Sequence, residues 1–274
     1  MNVHANIMVK NESLLLNKLL PIWEKYPIEK FIFYNDNSTD DTEQIIIRYL
    51  GGRAVVLNDK MTIFSESHNR SRMLEYSREN GATHVISLDA DELLSKNLID
   101  NFSRIISLYD SQSVHLFWYN VVEGTVSKTR SDPMYAENYR SFILPLETTG
   151  KFDLNLWKYH TPRVPAVNLP IAKTKDIGVV HLQAINTRFY ALKQLWYKHY
   201  EFVNYNHSVS FINSRYDPVV NGLNFLSVDT PKKIVGDFEF DASIYDDICE
   251  QKGYLNFIKE NYNKNLVTFG EEYI

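Results

Sequence analysis

A chain of 274 residues, 44% of them hydrophobic, can bury a sizeable core as one large domain or two small ones. Its formal charge of -5 excludes a nucleic-acid binder that works through a generally basic surface, and one cysteine, Cys249, excludes an internal disulfide or a multi-cysteine metal site. The first ten residues lack the basic and long apolar regions of a signal peptide, and no apolar run approaches the ~20 residues of a bilayer span, so a soluble cytoplasmic protein is expected. Cys249 sits among acids (Asp-Asp-Ile-Cys-Glu), a setting that raises a thiol pKa and predicts a passive residue.

Residues 3–9 read as a first strand and 14–23 as an amphipathic helix, with Asn11 or Ser13 as its cap. A second strand over 28–34 runs into Asn35-Asp36-Asn37-Ser38-Thr39-Asp40-Asp41-Thr42. The helix at 43–50 follows, with Ser38, Thr39 or Asp40 as its cap, and Gly51-Gly52 stops it. Residues 54–57 give a third strand, and a helix over 66–80, ended by Gly81, leads into a fourth. Four strand-helix alternations predict an α/β fold with a Rossmann-like, mostly parallel sheet, right-handed crossovers and helices on both faces.

The fourth strand, His84-Val85-Ile86-Ser87-Leu88, ends in three carboxylates within four residues: Asp89-Ala90-Asp91-Glu92. In open α/β sheets ligands bind at the carboxyl edge of the strands, where the departing loops diverge. Asp89 and Asp91 are two apart, so a bend at Ala90 lets both reach one cation. Hard oxygen ligands suit Mg2+ or Mn2+, which keep open positions for diphosphate oxygens. Acid pairs after strands also cap helices and decorate turns. Asp36, at the neighbouring crevice loop, has a carboxylate able to accept from a uracil-like base or from ribose.

Further along, 97–109 reads as a helix, 113–122 as an alternating strand, 177–182 as a strand, and 188–205 as a helix with an aromatic stripe of Phe189, Leu192, Trp196 and Tyr200. Lys193, Lys198 and His199 fall off that stripe, either on a solvated face or placed to neutralise a diphosphate. From 209 onward a loop rich in Asn, Gly and Pro precedes a helix over 244–263, expected to be a cover or a homo-oligomer contact.

Taken together, Lys10-Asn11-Glu12 after the first strand, the Asn35-to-Thr42 loop, His68-Asn69 and Leu88-Asp89-Ala90-Asp91-Glu92 resemble the ordered signature of the family 2 glycosyltransferases, which have the GT-A fold. The resemblance covers residues 1 to about 110. It implies a nucleotide-sugar-binding half at 1–112, a mixed acceptor-binding half at 113–185 with a strand at 141–144, and a helical carboxyl-terminal extension at 186–274. It implies donor contacts from Lys10, Asn11, Glu12, Asp36, His68, Asn69, Asp89 and Ala90, with Asp36 on the nucleobase and Asp89 near ribose and metal. Asp91 would ligate Mn2+ or Mg2+ directly. His181 would be a further metal ligand by analogy with a late histidine of GT-A enzymes, against the alternative of a hydrogen-bonded core histidine. Two positions depart from the pattern: Asn35 stands where an acid is usual, and His68 where an arginine is common, leaving His68, Arg70 and Arg72 as rivals for the ligand contact.

The activity implied is inverting transfer of a sugar from a nucleotide-diphosphate donor, a UDP-sugar first, to a hydroxyl of a glycan or glycoconjugate, with no nucleic-acid partner. For the general base the acids available are Asp132, Glu137, Glu147 and Asp153, of which Asp153 is preferred because Phe152 and Leu154 flank it. Arg163 is expected near the sugar or acceptor. The competing readings are a nucleotidyltransferase, whose glycine-rich phosphate loop is missing after Val9, a haloacid-dehalogenase-like phosphatase, and a catalytically inactive carbohydrate- or nucleotide-binding module on the same scaffold.

Overall fold

The computed structural model describes residues 1–59, 65–133, 135, 137–147, 162–165, 168–220 and 225–274. Two compact units divide the chain, the first Met1–Trp118 with Tyr139–Val179, the second Tyr119–Asn138 with Val180–Ile274.

In the first unit the strands β1 (Val3–Val9), β2 (Lys30–Asn35), β3 (Ala54–Leu57) and β4 (His84–Asp89) alternate with helices α1 (Ser13–Trp23), α2 (Thr42–Leu50) and α3 (Glu66–Glu79), as the periodicity predicts. β1 pairs in parallel with β2 and β4, and β2 with β3, giving the order β4-β1-β2-β3. Their apolar runs are buried on both faces, as parallel strands require; Ala5, Ile7, Phe31, Ile32, Phe33 and Ile86 are fully inaccessible. Trp23 of α1 lies flat against this layer, its ring 6.4 Å from Phe31 and from Phe33.

Beyond β4 come β5 (Glu92–Leu94), two short helices α4 (Lys96–Asp100) and α5 (Phe102–Leu108), then β6 (Ser113–Val122), β7 (Thr125–Arg130), β8 (Tyr139–Pro145) and β9 (Ile171–His181). The single helix expected over 97–109 is thus two, parted at Asn101 (φ -119°). Within the first unit β8 adds antiparallel to β4, and residues 114–117 of β6 add antiparallel to β8, so the parallel sheet acquires an antiparallel flank.

In the second unit the end of β6 pairs with β7, and β7 with β10 (Ser227–Asp229). The helices are α6 (Thr187–Tyr205), α7 (Val209–Val220), α8 (Lys232–Val235), α9 (Ile244–Lys252) and α10 (Tyr254–Glu260). α6 is the axis: Phe189 packs 4.4 Å from Tyr245 of α9, and Trp196 5.3 Å from Tyr254 of α10. Two elements differ here from what the periodicity predicts. Residues expected to be loop from 209 form α7, which buries Ile212, Tyr216 and Val220 along one face. The helix expected over 244–263 is split at Gly253, whose φ of +63° is a left-handed turn that ends α9 and starts α10.

Lys198 and His199 are likewise buried rather than solvated or turned to a ligand. Lys198 donates to Asp217 and Thr268, each at 2.7 Å, and His199 is bonded to the carbonyl of Leu195 at 2.8 Å. Cys249 is buried too, and burial pushes its thiol up to about 11, so it is passive as expected. Among the described residues no helix is long and apolar enough to cross a membrane.

Candidate functional site

The register explains how distant motifs meet. Val9 lies opposite Asn35, and Met8 opposite Asp89, so the loops after β1, β2 and β4 leave the sheet side by side at its carboxyl edge. With neighbouring strands ~4.8 Å apart, Asp36 and Asp89 flank the loop of β1 at roughly 10 Å from each other.

The first two loops are stitched together. Lys10 Nζ reaches Asp36 Oδ2 at 3.1 Å; the lysine is exposed and the carboxylate buried. Asn11 turns through a left-handed φ of +52°, which asparagine tolerates, and so donates its N–H to Ser38 Oγ while its Oδ1 accepts from Thr39 N–H. Glu12 N–H donates to Thr42 Oγ1 at 2.8 Å. Asp40 serves both helices at once, its Oδ2 accepting from Ser13 N–H at the start of α1 and its Oδ1 from Thr42 N–H at the start of α2. Burial pushes that carboxyl up, but the hydrogen bonds from Thr42 and Ser13 outweigh it and hold the pKa below its ordinary value. Asp40 is thus the acid that satisfies these helix starts, in place of Asn11, Ser13, Ser38 or Thr39.

The third motif divides its labour. Ser65 caps α3, accepting from His68 N–H. His68 Nε2 and Arg72 Nε both lie 3.0 Å from Asp59 Oδ2, at the end of β3, which leaves these two side chains in an ion-pair cluster of their own. Asn69 is buried, with its Nδ2 lacking a hydrogen-bond partner among the described residues. Arg70 is the member that reaches the acids: 4% of its side chain is exposed, it pairs with Glu66 at 2.7 Å, and its Nη2 lies 3.5 Å from Asp89 Oδ1.

The acid loop after β4 is organised by Glu92 and Arg163. Glu92, fully buried, accepts from Asp89 N–H at 2.8 Å, from Trp118 Nε1 at 2.6 Å and from both arms of Arg163 at 2.7 and 2.8 Å. Trp23 Nε1 donates to its carbonyl at 3.2 Å. Arg163 Nη2 also donates to Asp89 Oδ2 at 2.6 Å, and its guanidinium lies 5.3 Å from the Trp118 ring centre and 4.9 Å from that of Phe142. Burial works against this charge, but Asp89, Glu92 and Asp91 more than offset it and raise the pKa above its ordinary value. The arginine that sequence reading sets near sugar or acceptor therefore grips the acid loop itself. No local signal announces this, because its partners lie 71 and 74 positions away.

Asp91 and Ala90 are buried at the tip of the same loop. His181, in the second unit, is buried with its Nδ1 2.7 Å from Asn120 Oδ1. Of the acids considered for proton removal, Asp132 is bound by both arms of Arg130 at 2.6 and 3.0 Å and braces that arginine, while Glu137 and Glu147 are exposed. Asp153 lies outside the described residues. Among the described residues no three His, Cys, Asp or Glu side chains gather around one cation position. Two oxygen donors on one loop nevertheless suit a hard ion that keeps most of its shell for water and phosphate, which is how Mg2+ is commonly held.

No protein-family profile and no curated protein matches the sequence. Solved structures do match the fold. S. aureus TarS 1-349 in complex with UDP-GlcNAc gives a TM-score of 0.51 at 13% identity, over 82% of this chain and 76% of that one. The longer S. aureus TarS chain gives 0.51 at 14% identity over 78% of this chain, which spans 42% of its length. The mannosyltransferase PcManGT from Pyrobaculum calidifontis, in complex with GDP-Man and Mn2+, gives 0.49 at 14% identity over 72% and 61% of the two chains. The likeness is one of fold, and the fold is GT-A.

Proposed function

We propose that this protein is a glycosyltransferase of the EC 2.4 type, taking a nucleotide-diphosphate sugar, with a UDP-sugar as the first donor class, and passing the sugar to a hydroxyl of a glycan or glycoconjugate. One observation carries the reading: on a GT-A fold, three loops at one sheet edge bring the Lys10–Asp36 pair beside the Arg163-bound acids of the fourth strand. In S. aureus TarS, that fold holds UDP-GlcNAc.

In this reading the acceptor oxygen attacks the anomeric carbon, the bond from that carbon to the diphosphate breaks, its electron pair leaves on the phosphate oxygen, and the hydroxyl proton passes to a carboxylate. Asp36 orients the nucleobase, with Lys10 setting its carboxylate, and Asp89 receives the ribose. Asp89 and Asp91 would hold Mn2+ or Mg2+, which when bound withdraws charge from the departing phosphate, an effect worth several kcal/mol. Asp153 is the acid assigned to take the proton, a role that contributes roughly 10^2 to 10^4-fold. A single displacement on the face of the anomeric carbon opposite the diphosphate makes the transfer inverting.

The test combines nucleotide release from UDP-, GDP- and dTDP-sugars, with and without Mn2+, and the Asp91→Ala variant. Metal-dependent release from one donor, lost in a folded Asp91→Ala protein, is the expected result. Full metal-dependent activity in that variant overturns the assignment, and nucleotide binding without turnover under every condition favours the binding module.

A further inference from the structure

The two halves of the Arg163 fork meet different surroundings. Glu92, whose side chain has no exposed surface, holds the guanidinium through both Nη1 and Nη2; Asp89, 35% exposed at the carboxyl edge of the sheet, takes one further hydrogen from Nη2 and lies 3.5 Å from Arg70 Nη2 on its other oxygen. The rings of Trp118 and Phe142 hold the plane of the guanidinium without supplying charge. The bond to Glu92 is thus a buried anchor and the bond to Asp89 an exchangeable one. A phosphate oxygen is the natural competitor for the exchangeable arm, since a planar fork binds carboxylate and phosphate with the same geometry.

We propose, building on the glycosyltransferase reading, that Arg163 is a resident cation of the acid loop. It compensates the charge of Asp89 while no donor is bound and, when the donor arrives, turns the Nη2 hydrogen that serves Asp89 to the donor's diphosphate while both nitrogens stay on Glu92, freeing that oxygen of Asp89 for the ligand. Two consequences separate this from a purely structural salt bridge. Without nucleotide, the guanidinium charge opposes a divalent ion, so the metal binds weakly by itself. Without metal, the same charge still attracts the diphosphate, so UDP retains measurable affinity. Arg163 acts here as a positioning residue whose loss moves the two affinities in opposite directions.

The experiment measures Mn2+ binding from the loss of the free-ion EPR signal, and UDP binding by calorimetry in EDTA, for wild type, Arg163→Met and Arg163→Lys. Arg163→Met is expected to bind Mn2+ alone on the order of tenfold more tightly, and UDP in EDTA on the order of tenfold more weakly, than wild type. Arg163→Lys, which keeps the charge, stays near wild type for Mn2+. Because Arg163→Met strands the buried Glu92, the pair Arg163→Met/Glu92→Gln removes both charges and gives the same direction of change in a protein whose melting curve shows it folded. Unchanged or weaker Mn2+ binding in both variants, while wild type binds Mn2+ and UDP together, overturns the role of Arg163 alone. Failure of wild type to bind UDP with or without Mn2+ overturns the glycosyltransferase reading on which it rests.

Discussion

Lys10 and Asp36, 26 residues apart in sequence, meet through a 3.1 Å ion pair because their strands are parallel neighbours that end at the same level. The lysine is well exposed and the carboxylate buried, so the pair sits with its anionic half already turned away from bulk water. Asp36→Asn removes the charge while keeping the size. It is expected to weaken UDP binding by about tenfold, the worth of one charge-assisted hydrogen bond, with the melting temperature in the absence of ligand little changed. Calorimetry with UDP, with Asp41→Asn as an exposed control, checks it.

Asp40 accepts from the first turns of both α1 and α2. Asp40→Ala deprives two helix starts of their acceptor and is expected to cost about 1–3 kcal/mol, read from urea unfolding. Asp41→Ala, on the exposed neighbour, should cost far less, and equal losses for the two would deny Asp40 its double role.

Trp23 combines a fully buried ring with a hydrogen bond to the carbonyl of Glu92, which ties α1 to the acid loop. Trp23→Phe keeps much of the packing and leaves that carbonyl short of a donor, for an expected loss of about 1–3 kcal/mol. Trp23→Ala adds a cavity and is expected to cost about 3–5 kcal/mol. Chemical denaturation of both variants gives the comparison.

Four histidines, His4, His84, His115 and His199, have pKa values lowered by burial. The unfolded chain therefore binds protons that the folded one refuses. Stability should be level above the ordinary histidine value of 6.5 and decline as pH falls from there toward the depressed folded values. His199 accepts at Nε2 from Asn263 N–H and donates at Nδ1 to Leu195, the pattern of a neutral ring. Melting temperatures across this range should fall with pH in wild type and fall less steeply in His199→Gln.

The parallel core was legible because buried strands and amphipathic helices leave opposite periodicities, and β1 and β3 end at the residues their patterns predict. α7 was not, although Ile212, Tyr216 and Val220 stand at helical spacing; the Asn, Gly and Pro of that region outweigh the period in a composition-led reading, and Pro218 sits inside the helix. The site was legible as to which loops converge, since Lys10 and Asp36 directly follow strands and Asp89 ends one. What escaped was how charges pair within it. Glu92 looks like a third acid facing a ligand, yet its carboxylate is consumed by Trp118, Arg163 and the Asp89 amide, contacts fixed only by tertiary packing. Arg70, one of three rivals for a ligand contact in the third motif, is the one buried against the acids, and only tertiary packing decides that.

Cys249, the sole thiol of the chain, is buried with its deprotonation pushed to about 11. A cysteine introduced at an exposed position, such as Thr39 in the loop after β2, would outcompete it for maleimide reagents at neutral pH without any background substitution. The wild-type chain thus serves as a background for fluorophores and spin labels with Cys249 left in place, and a reporter at residue 39 would test the proposed binding of a nucleotide at this loop.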